Sequence, residues 1–307
     1  MKTIEINLES DCNLDCVFCK RHSYVTQNKV KSPTLEDIKK IVNEQRPDAL
    51  VFIGGGEPTM RDDLADLIRI AKKMGVADIC VETNGYKLKD LEYMRLLKNA
   101  GLTSLIISVY SNKPDIFDKI TQKQGSFEAI DSCLKNMVEL GISIRNVLCT
   151  ITSYNLRGLN QMIDYLAGAG IKQISFGFVR PIDASENSRK YTPRLSVAQK
   201  YIKAALIYSG SKNIFAWTSP GFMEPCFLQG LEEYSSIIRI ASDEKIKEAI
   251  HYTDKVRVPA CASCLLQSIC LGPNKVYVDM YGDKEFKPVK RSLDEINKKY
   301  LERASRR

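Results

Sequence analysis

Six apolar, β-branched runs alternate with six helix-like segments along the first two thirds of this chain, and that rhythm restricts its fold more than any other feature. The strand candidates are Thr3–Leu8, Ala49–Ile53, Ala77–Glu82, Ser104–Val109, Ser143–Ile151 and Lys172–Val179. The helix candidates between and after them are Leu35–Asn43, Asp62–Lys73, Leu88–Asn99, Phe127–Leu140, Leu156–Ala167 and Val197–Ser209. Gly75, Gly101, Gly141 and Gly170 each lie just past a helix candidate, where a left-handed stop favours glycine. Strict β–α alternation predicts a parallel sheet with right-handed crossovers. Six units are too few for a closed eight-stranded barrel. An α/β fold with an open, partial (βα)6 barrel is therefore expected.

After Ser209 the rhythm stops. Asn213–Thr218 reads as one more strand, and Pro220, Gly221 and Pro225 then break the chain. A helical stretch, Leu231–Ala249, leads into a Cys-rich segment, Pro259–Gly272, and Lys275–Val278 with Tyr281-Gly282 reads as a strand and turn. The expected organisation is a core over residues 1–185, a linker and helix over 186–218, a small Cys-rich domain over 219–285 and a charged tail over 286–307. Much of the net charge of +8 lies in Lys284 to Arg307, where basic and acidic residues alternate. That pattern is expected to form a solvated helix face or tail, and nucleic acid is not an expected partner. No apolar stretch approaches the ~18 residues of a membrane span. Met1-Lys2-Thr3 runs straight into a strand pattern, and ten Cys in a chain of 307 residues argue for metal or redox use rather than a disulfide framework. A reducing cytoplasm is the expected location.

Three of those cysteines, Cys12, Cys16 and Cys19, form a Cys-x3-Cys-x2-Cys run directly after the first strand candidate. Three thiolates so close together can hold three irons of a [4Fe–4S] cube and leave the fourth iron open, the mark of a metal site that does chemistry. A buried helix face would use the same i, i+4, i+7 spacing, but Asp11, Asn13 and Asp15 favour turns and caps instead. A zinc knuckle would need a fourth ligand, for which only His22 stands nearby.

In parallel α/β structures ligands sit at the carboxyl ends of the strands, and the distinctive loops of this chain fall there. Gly54-Gly55-Gly56-Glu57-Pro58 follows strand two, Glu82-Thr83-Asn84-Gly85 ends strand three, and Ser108-Val109-Tyr110-Ser111 ends strand four. Glycines let backbone approach a ligand closely, and Pro58 biases Glu57 toward an extended conformation. With the Cys triad and its Phe18, this order of motifs resembles the radical S-adenosylmethionine (SAM) superfamily over roughly residues 1–180. The resemblance implies that Cys12, Cys16 and Cys19 hold a [4Fe–4S] cluster whose fourth iron is chelated by SAM. It further implies that Gly55, Gly56, Glu57 and Pro58 hold the SAM methionine amine, and that Phe18, Thr83, Asn84, Ser108, Asn155 and Arg180 complete the cofactor site. Relatives often carry an acidic residue where this chain has Tyr110. For Asn155 and Arg180, ordinary capping and a surface salt bridge are equally open readings.

A second string, Cys261-x2-Cys264-x5-Cys270-x-Gly272, resembles the C-terminal pattern of the SPASM/twitch subgroup, which carries an auxiliary [4Fe–4S] cluster. Cys226, in Glu224-Pro225-Cys226-Phe227, completes a four-cysteine set. A structural zinc ribbon is the competing reading of those residues. Cys226 also has a second possible role, as donor of a hydrogen atom to a substrate radical. Cys80, Cys133 and Cys149 fall inside strand or helix candidates and read as core.

The resemblance implies a radical SAM oxidoreductase or maturase with two clusters, reduced by a flavodoxin- or ferredoxin-type donor. It would split SAM to a 5′-deoxyadenosyl radical and abstract a substrate hydrogen. The leading expectation is a ribosomally made peptide, cross-linked, dehydrogenated or epimerised by a monomeric enzyme. The alternative keeps the chemistry and takes a small molecule, an aminoglycoside-type sugar or a cofactor precursor. A two-cluster electron-transfer protein is the reading from another class, and it leaves the Gly-Gly-Glu-Pro loop without a role.

Overall fold

The structure, a computed structural model, describes residues 2–8, 11–19, 32–219, 223–241 and 254–305. His22 and the end of the Leu231–Ala249 helix candidate lie outside these residues. Seven strands follow one another in chain order in one open parallel sheet: β1 Thr3–Asn7, β2 Ala49–Ile53, β3 Asp78–Thr83, β4 Ser104–Ser108, β5 Ser143–Ile151, β6 Gln173–Phe178 and β7 Phe215–Thr218. The expected open parallel sheet is present, with Asn213–Thr218 supplying its seventh strand. The chain divides into two compact units, Met1–Leu148 with Ala169–Ile171, and Cys149–Gly168 with Lys172–Arg307.

In the first unit the helices are α1 Leu35–Gln45, α2 Leu64–Lys73, α3 Leu91–Ala100, α4 Pro114–Thr121 and α5 Ser126–Leu140. Their starts follow local chemistry. Thr34 and Asp37 form a reciprocal capping box at α1, and the Asp90 carboxylate accepts from the first N–H groups of α3. In α2, Leu64, Leu67, Ile68 and Ala71 repeat at helical spacing and are buried, while Lys72 and Lys73 occupy the last turn, where cations suit the helix dipole. Gly75, Gly101, Gly141 and Gly170 all take positive φ, as their placement after the helices predicts. Helix α4 was not among the sequence candidates. Pro114 starts it, since a proline has no N–H to lose in a first turn, and Phe117, Ile120 and Thr121 bury its inner face.

Strand register sorts this sheet into two faces. Ile6, Phe52, Val81 and Leu105 pair across β1 to β4 and are all buried. One residue further on, Asn7 pairs with Ile53 and Glu82 with Ile106, and this row is exposed to half-buried. Cys80, Cys133 and Cys149 are buried, as expected of core positions.

The second unit contains α6 Leu159–Gly168, β6, α7 Glu186–Tyr191, α8 Leu195–Ser211, β7, α9 Ser236–Ala241, α10 Lys275–Tyr281 and α11 Leu293–Ala304. One expectation is corrected here. Lys275–Val278 is helical, not a strand, because the Asn274 side chain caps Tyr277 N–H and Tyr277 and Met280 bury one helix face. The charged tail forms α11, which presents the expected solvated face and has a docked side as well. Ile296 of α11 is buried with Ile237, Ile238, Leu266 and Val289, and Cys226 and Cys264 lean on that cluster. Arg303 donates to the carbonyls of Ala216 and Glu233, at 2.7 and 3.1 Å, with its guanidinium 3.4 Å above the Tyr234 ring. The described part of Leu231–Ala249 is a short 3-10 turn, Glu232–Tyr234, followed by α9.

Candidate active site

The thiol loop of the first unit is tied down from two sides. Asp15 and Val17 N–H groups donate to Thr121 and Ile120 carbonyls at the end of α4, at 3.1 and 2.9 Å. From the other side, Glu57 N–H donates to the Asp11 carbonyl at 2.9 Å. Cys12, Cys16 and Cys19 are each half-buried. The Asn84 amide lies 3.6 Å from Cys12 Sγ and 2.8 Å from Asn13 Oδ1. Tyr110 hydrogen-bonds Cys16. Burial pushes the Cys16 thiol up to about 12, with Cys19 and Cys12 adding to it and the Tyr110 hydrogen bond opposing.

Glu57 is the hub of the adjoining loops. It is 1% exposed, with extended backbone at φ −125° and ψ 111°. Its Oε1 accepts from Thr59 N at 3.1 Å, Thr59 Oγ1 at 2.6 Å and Thr83 Oγ1 at 2.5 Å. Its Oε2 accepts from Asn84 N at 2.7 Å. Burial raises its pKa and these four donors oppose that rise. The carboxylate thus joins the β2 loop to the β3 loop, while Gly55 stays exposed, Gly56 half-buried and Pro58 buried at the start of a 3-10 turn. Ser108 closes β4 beside Val109, whose N–H donates to the Leu148 carbonyl. Phe18 packs edge-on against Tyr110 at 5.5 Å, and Tyr110 in turn meets Phe117 at 5.4 Å.

Asn155 and Arg180 belong to the second unit. Asn155 Oδ1 accepts from Thr152 N at 2.7 Å and its amide donates to the Thr150 carbonyl at 2.9 Å, which closes the turn after β5. Arg180 forms an ion pair with Asp254.

Also in the second unit, Cys226, Cys261, Cys264 and Cys270 line one recess. Cys264 Sγ accepts from Val289 N–H and Cys270 Sγ from Gly272 N–H, each at 3.4 Å. Burial pushes the Cys270 thiol up to about 11, with the Glu224 carboxylate next in effect, and burial likewise raises Cys226. Glu224 itself pairs with Lys255 at 2.8 Å, both side chains under a tenth exposed. Gly272 has φ +87°, and a Cβ there would stand 2.1 Å from the Val256 carbonyl oxygen. The glycine is what lets these two strands of backbone meet beside Cys270.

Three features escaped the sequence reading. Tyr110 looked like a lost polar contact, yet it packs on Phe18 and bonds Cys16. The Glu224–Lys255 pair gave no motif. Glu82 on β3 has its carboxyl pushed up to about 7 by burial, then by Glu5 and Glu57. Its signal was present: Glu5, Asn7 and Glu82 interrupt parallel strands that would otherwise read as continuous apolar runs.

The thiol loop, the Gly-Gly-Glu-Pro segment and the Thr-Asn-Gly turn thus meet at the carboxyl ends of the first strands of a parallel sheet. The sequence profile of the radical SAM superfamily matches residues 6–167. The chain belongs to that superfamily, and with it come SAM and the [4Fe–4S] cluster that binds it. Among individual proteins, it is 26% identical over 270 residues to a probable GTP 3′,8-cyclase of Saccharolobus solfataricus, covering 83% of this chain and 85% of that one. A probable GTP 3′,8-cyclase of Methanococcus aeolicus is 30% identical over 197 residues, 62% of this chain and 63% of that one. Two solved structures share the fold. Streptococcus suis SuiB bound to S-adenosylmethionine matches at TM-score 0.60 and 13% identity, over 94% of this chain and 77% of that one. The anSMEcpe enzyme with bound AdoMet matches at TM-score 0.60 and 17% identity, over 97% and 96%.

Proposed function

We propose that this enzyme turns SAM-derived radical chemistry on a small, nucleotide-like cofactor precursor rather than on a peptide. The observation that carries this reading is the extent of the likeness to the GTP cyclases, 83% of the chain, well past the residues matched by the superfamily profile. It favours the small-molecule alternative; the likeness to SuiB and anSMEcpe bears on the fold alone. A net charge of +8 suits an anionic substrate.

The residues fit the groups this chemistry needs. Cys12, Cys16 and Cys19 would hold three irons, and donors from Asn84 and Tyr110 already reach two of those sulfurs. A cluster bound there would supply the electron for reductive cleavage of SAM, the source of the radical that takes a substrate hydrogen. Gly55, Gly56 and the extended Glu57 backbone would receive the methionine end, held in place by the Glu57 carboxylate. On the first unit, Thr83, Asn84 and Ser108 would bound the rest of the SAM site, whereas the Asn155 and Arg180 side chains serve a turn and an ion pair within the second unit. Phe18, inside the thiol loop, packs through Tyr110 onto Phe117 of α4, which helps to anchor the loop.

Cys226, Cys261, Cys264 and Cys270 would hold an auxiliary [4Fe–4S] cluster of the twitch type. Four thiols share one recess, the ligand number that such a cluster takes. In this reading Cys226 is a ligand rather than a hydrogen donor. The test is anaerobic reconstitution followed by incubation with SAM, dithionite and GTP. 5′-Deoxyadenosine and a cyclised nucleotide are expected. No 5′-deoxyadenosine under any condition overturns the radical reading, and turnover stimulated by peptides but not by nucleotides overturns the substrate.

A further inference from the structure

Positive charge collects on the first unit beside the thiol loop. Lys89 and Lys123 place their ammonium groups 4.4 and 4.8 Å from the centroid of one ring, Tyr86, and Lys87 sits 4.8 Å from the Tyr93 ring. None of these three lysines has a carboxylate partner among the described residues. The acids nearest in sequence are spent elsewhere. Asp90 accepts from the N–H groups of Glu92 and Tyr93, and Asp118 from those of Gly125, Ser126 and Phe127. Each cation is attracted to the face of its ring, but two like charges on one ring also repel. Such a patch is best satisfied by an acidic surface, which it would also steer.

The patch connects to the thiols through short contacts. Tyr86 N–H donates to Asn84 Oδ1 at 2.9 Å, and the Asn84 amide lies 3.6 Å from Cys12 Sγ. Gln122, the neighbour of Lys123, donates to the Asp15 carbonyl inside the loop.

We propose that Tyr86 with Lys87, Lys89 and Lys123 is the docking surface for an acidic one-electron carrier protein that reduces the Cys12–Cys16–Cys19 cluster. This rests on the function proposed above. In each encounter the carrier is oxidised by one electron and the cluster reduced by one, with no bond made or broken. Charge directs the encounter, and the Tyr86–Asn84–Cys12 contacts give the electron a short path from the patch to the thiols.

Oxidised flavodoxin, a small acidic flavoprotein, is the probe. Titrated calorimetrically into the metal-free and the reconstituted protein at low salt, it should bind both saturably, and more weakly as salt rises. The triple variant K87E/K89E/K123E should bind on the order of 10- to 100-fold more weakly, because three attractions at exposed or half-buried positions become repulsions. It should keep dithionite-driven 5′-deoxyadenosine formation and lose the flavodoxin-driven reaction. K290E/K298E/K299E changes net charge equally and should bind as the parent does. Undiminished flavodoxin binding by the first variant, an equal loss in the second, or no saturable binding by the parent overturns the proposal. If the parent forms no 5′-deoxyadenosine with dithionite, the functional reading fails instead, and the binding titration still decides the surface.

Discussion

Glu57→Gln separates a positioning carboxylate from a ligand-contacting one. The carboxylate accepts four hydrogen bonds from three residues while 1% exposed. Glutamine keeps one oxygen. If that oxygen stays with Thr59 and Thr83, the new amide group faces the Asn84 N–H, donor against donor, and leaves a buried donor unmatched at a cost of about 1–3 kcal/mol. The three surviving bonds fall from charge-assisted to neutral, a loss of about 1 kcal/mol each. Relief from burying a charge offsets part of this. The net expectation is a destabilisation of about 2–4 kcal/mol, read by urea unfolding of the metal-free protein near pH 7. Thr83→Val removes one donor and should cost about 1 kcal/mol, and the double variant should lose less than the sum because the partners are shared. SAM affinity of the reconstituted protein should fall with stability, as the Gly55–Gly56 backbone loses its anchor. A change below about 0.5 kcal/mol in Glu57→Gln, smaller than one ordinary hydrogen bond, would refute the idea that this carboxylate holds the two loops together.

Other substitutions address the remaining features. Cys226→Ala should strip iron from the second unit and leave the SAM-cleaving site loaded; unchanged iron with altered product stereochemistry would make Cys226 a hydrogen donor. Gly272→Ala must place a Cβ against the Val256 carbonyl at φ +87°, so auxiliary iron should be lost there too, and full retention would show the backbone can yield. Glu82 has a folded pKa of about 7, above its ordinary 4.5. Its contribution to stability is therefore present below pH 4.5 and is lost, by about 3 kcal/mol, as pH rises through 7. Glu82→Gln should melt above the parent at pH 8 and converge with it near pH 5; parallel melting curves at all pH values would count against the assignment. Tyr110→Phe keeps the ring on Phe18 but removes the donor to Cys16, so the cluster potential should fall by roughly 60 mV, about one hydrogen bond, in an EPR-monitored titration.

Much of the architecture could be read from periodicity, for a physical reason. β2 and β5 have the predicted limits because apolar β-branched runs end where polar or glycine-containing loops begin. Helix ends with a glycine stop were equally legible. Lys275–Val278 failed because Val, Tyr and Val carry strand propensity, whereas the Asn274 cap and the burial of Tyr277 and Met280 make the segment a helix. The face of α11 was hidden by composition. Its mostly charged residues describe the solvated side, and one isoleucine, Ile296, decides where the helix docks. Among site residues, the cysteines and the Glu57 loop announce themselves by spacing, but hydrogen-bond partners 26 and 27 residues away, such as Thr83 and Asn84, do not.

Side-chain alternation within the strands holds a further signal that no motif carries. A parallel strand covered on both faces should be apolar throughout. Here the row Ile6–Phe52–Val81–Leu105 is buried, while the next row carries Asn7 and Glu82, and Glu5 lies on the same side of β1 as Asn7. The first face is core throughout; on the second, Val51 and Cys80 are buried too, but Glu5, Asn7 and Glu82 interrupt it with polar groups, one of them a carboxyl group that ionises only near pH 7. A sheet selected for stability alone would place an aliphatic residue at Glu82, which pairs in register with Ile106. Retaining a carboxyl group there makes chemical sense if something polar binds against that face, just before the Thr83-Asn84 turn. Glu82→Leu should accordingly stabilise the metal-free protein at pH 8 while weakening substrate-stimulated SAM cleavage. A variant that gains stability and turns over substrate as the parent does would show that the polar face serves neither binding nor catalysis.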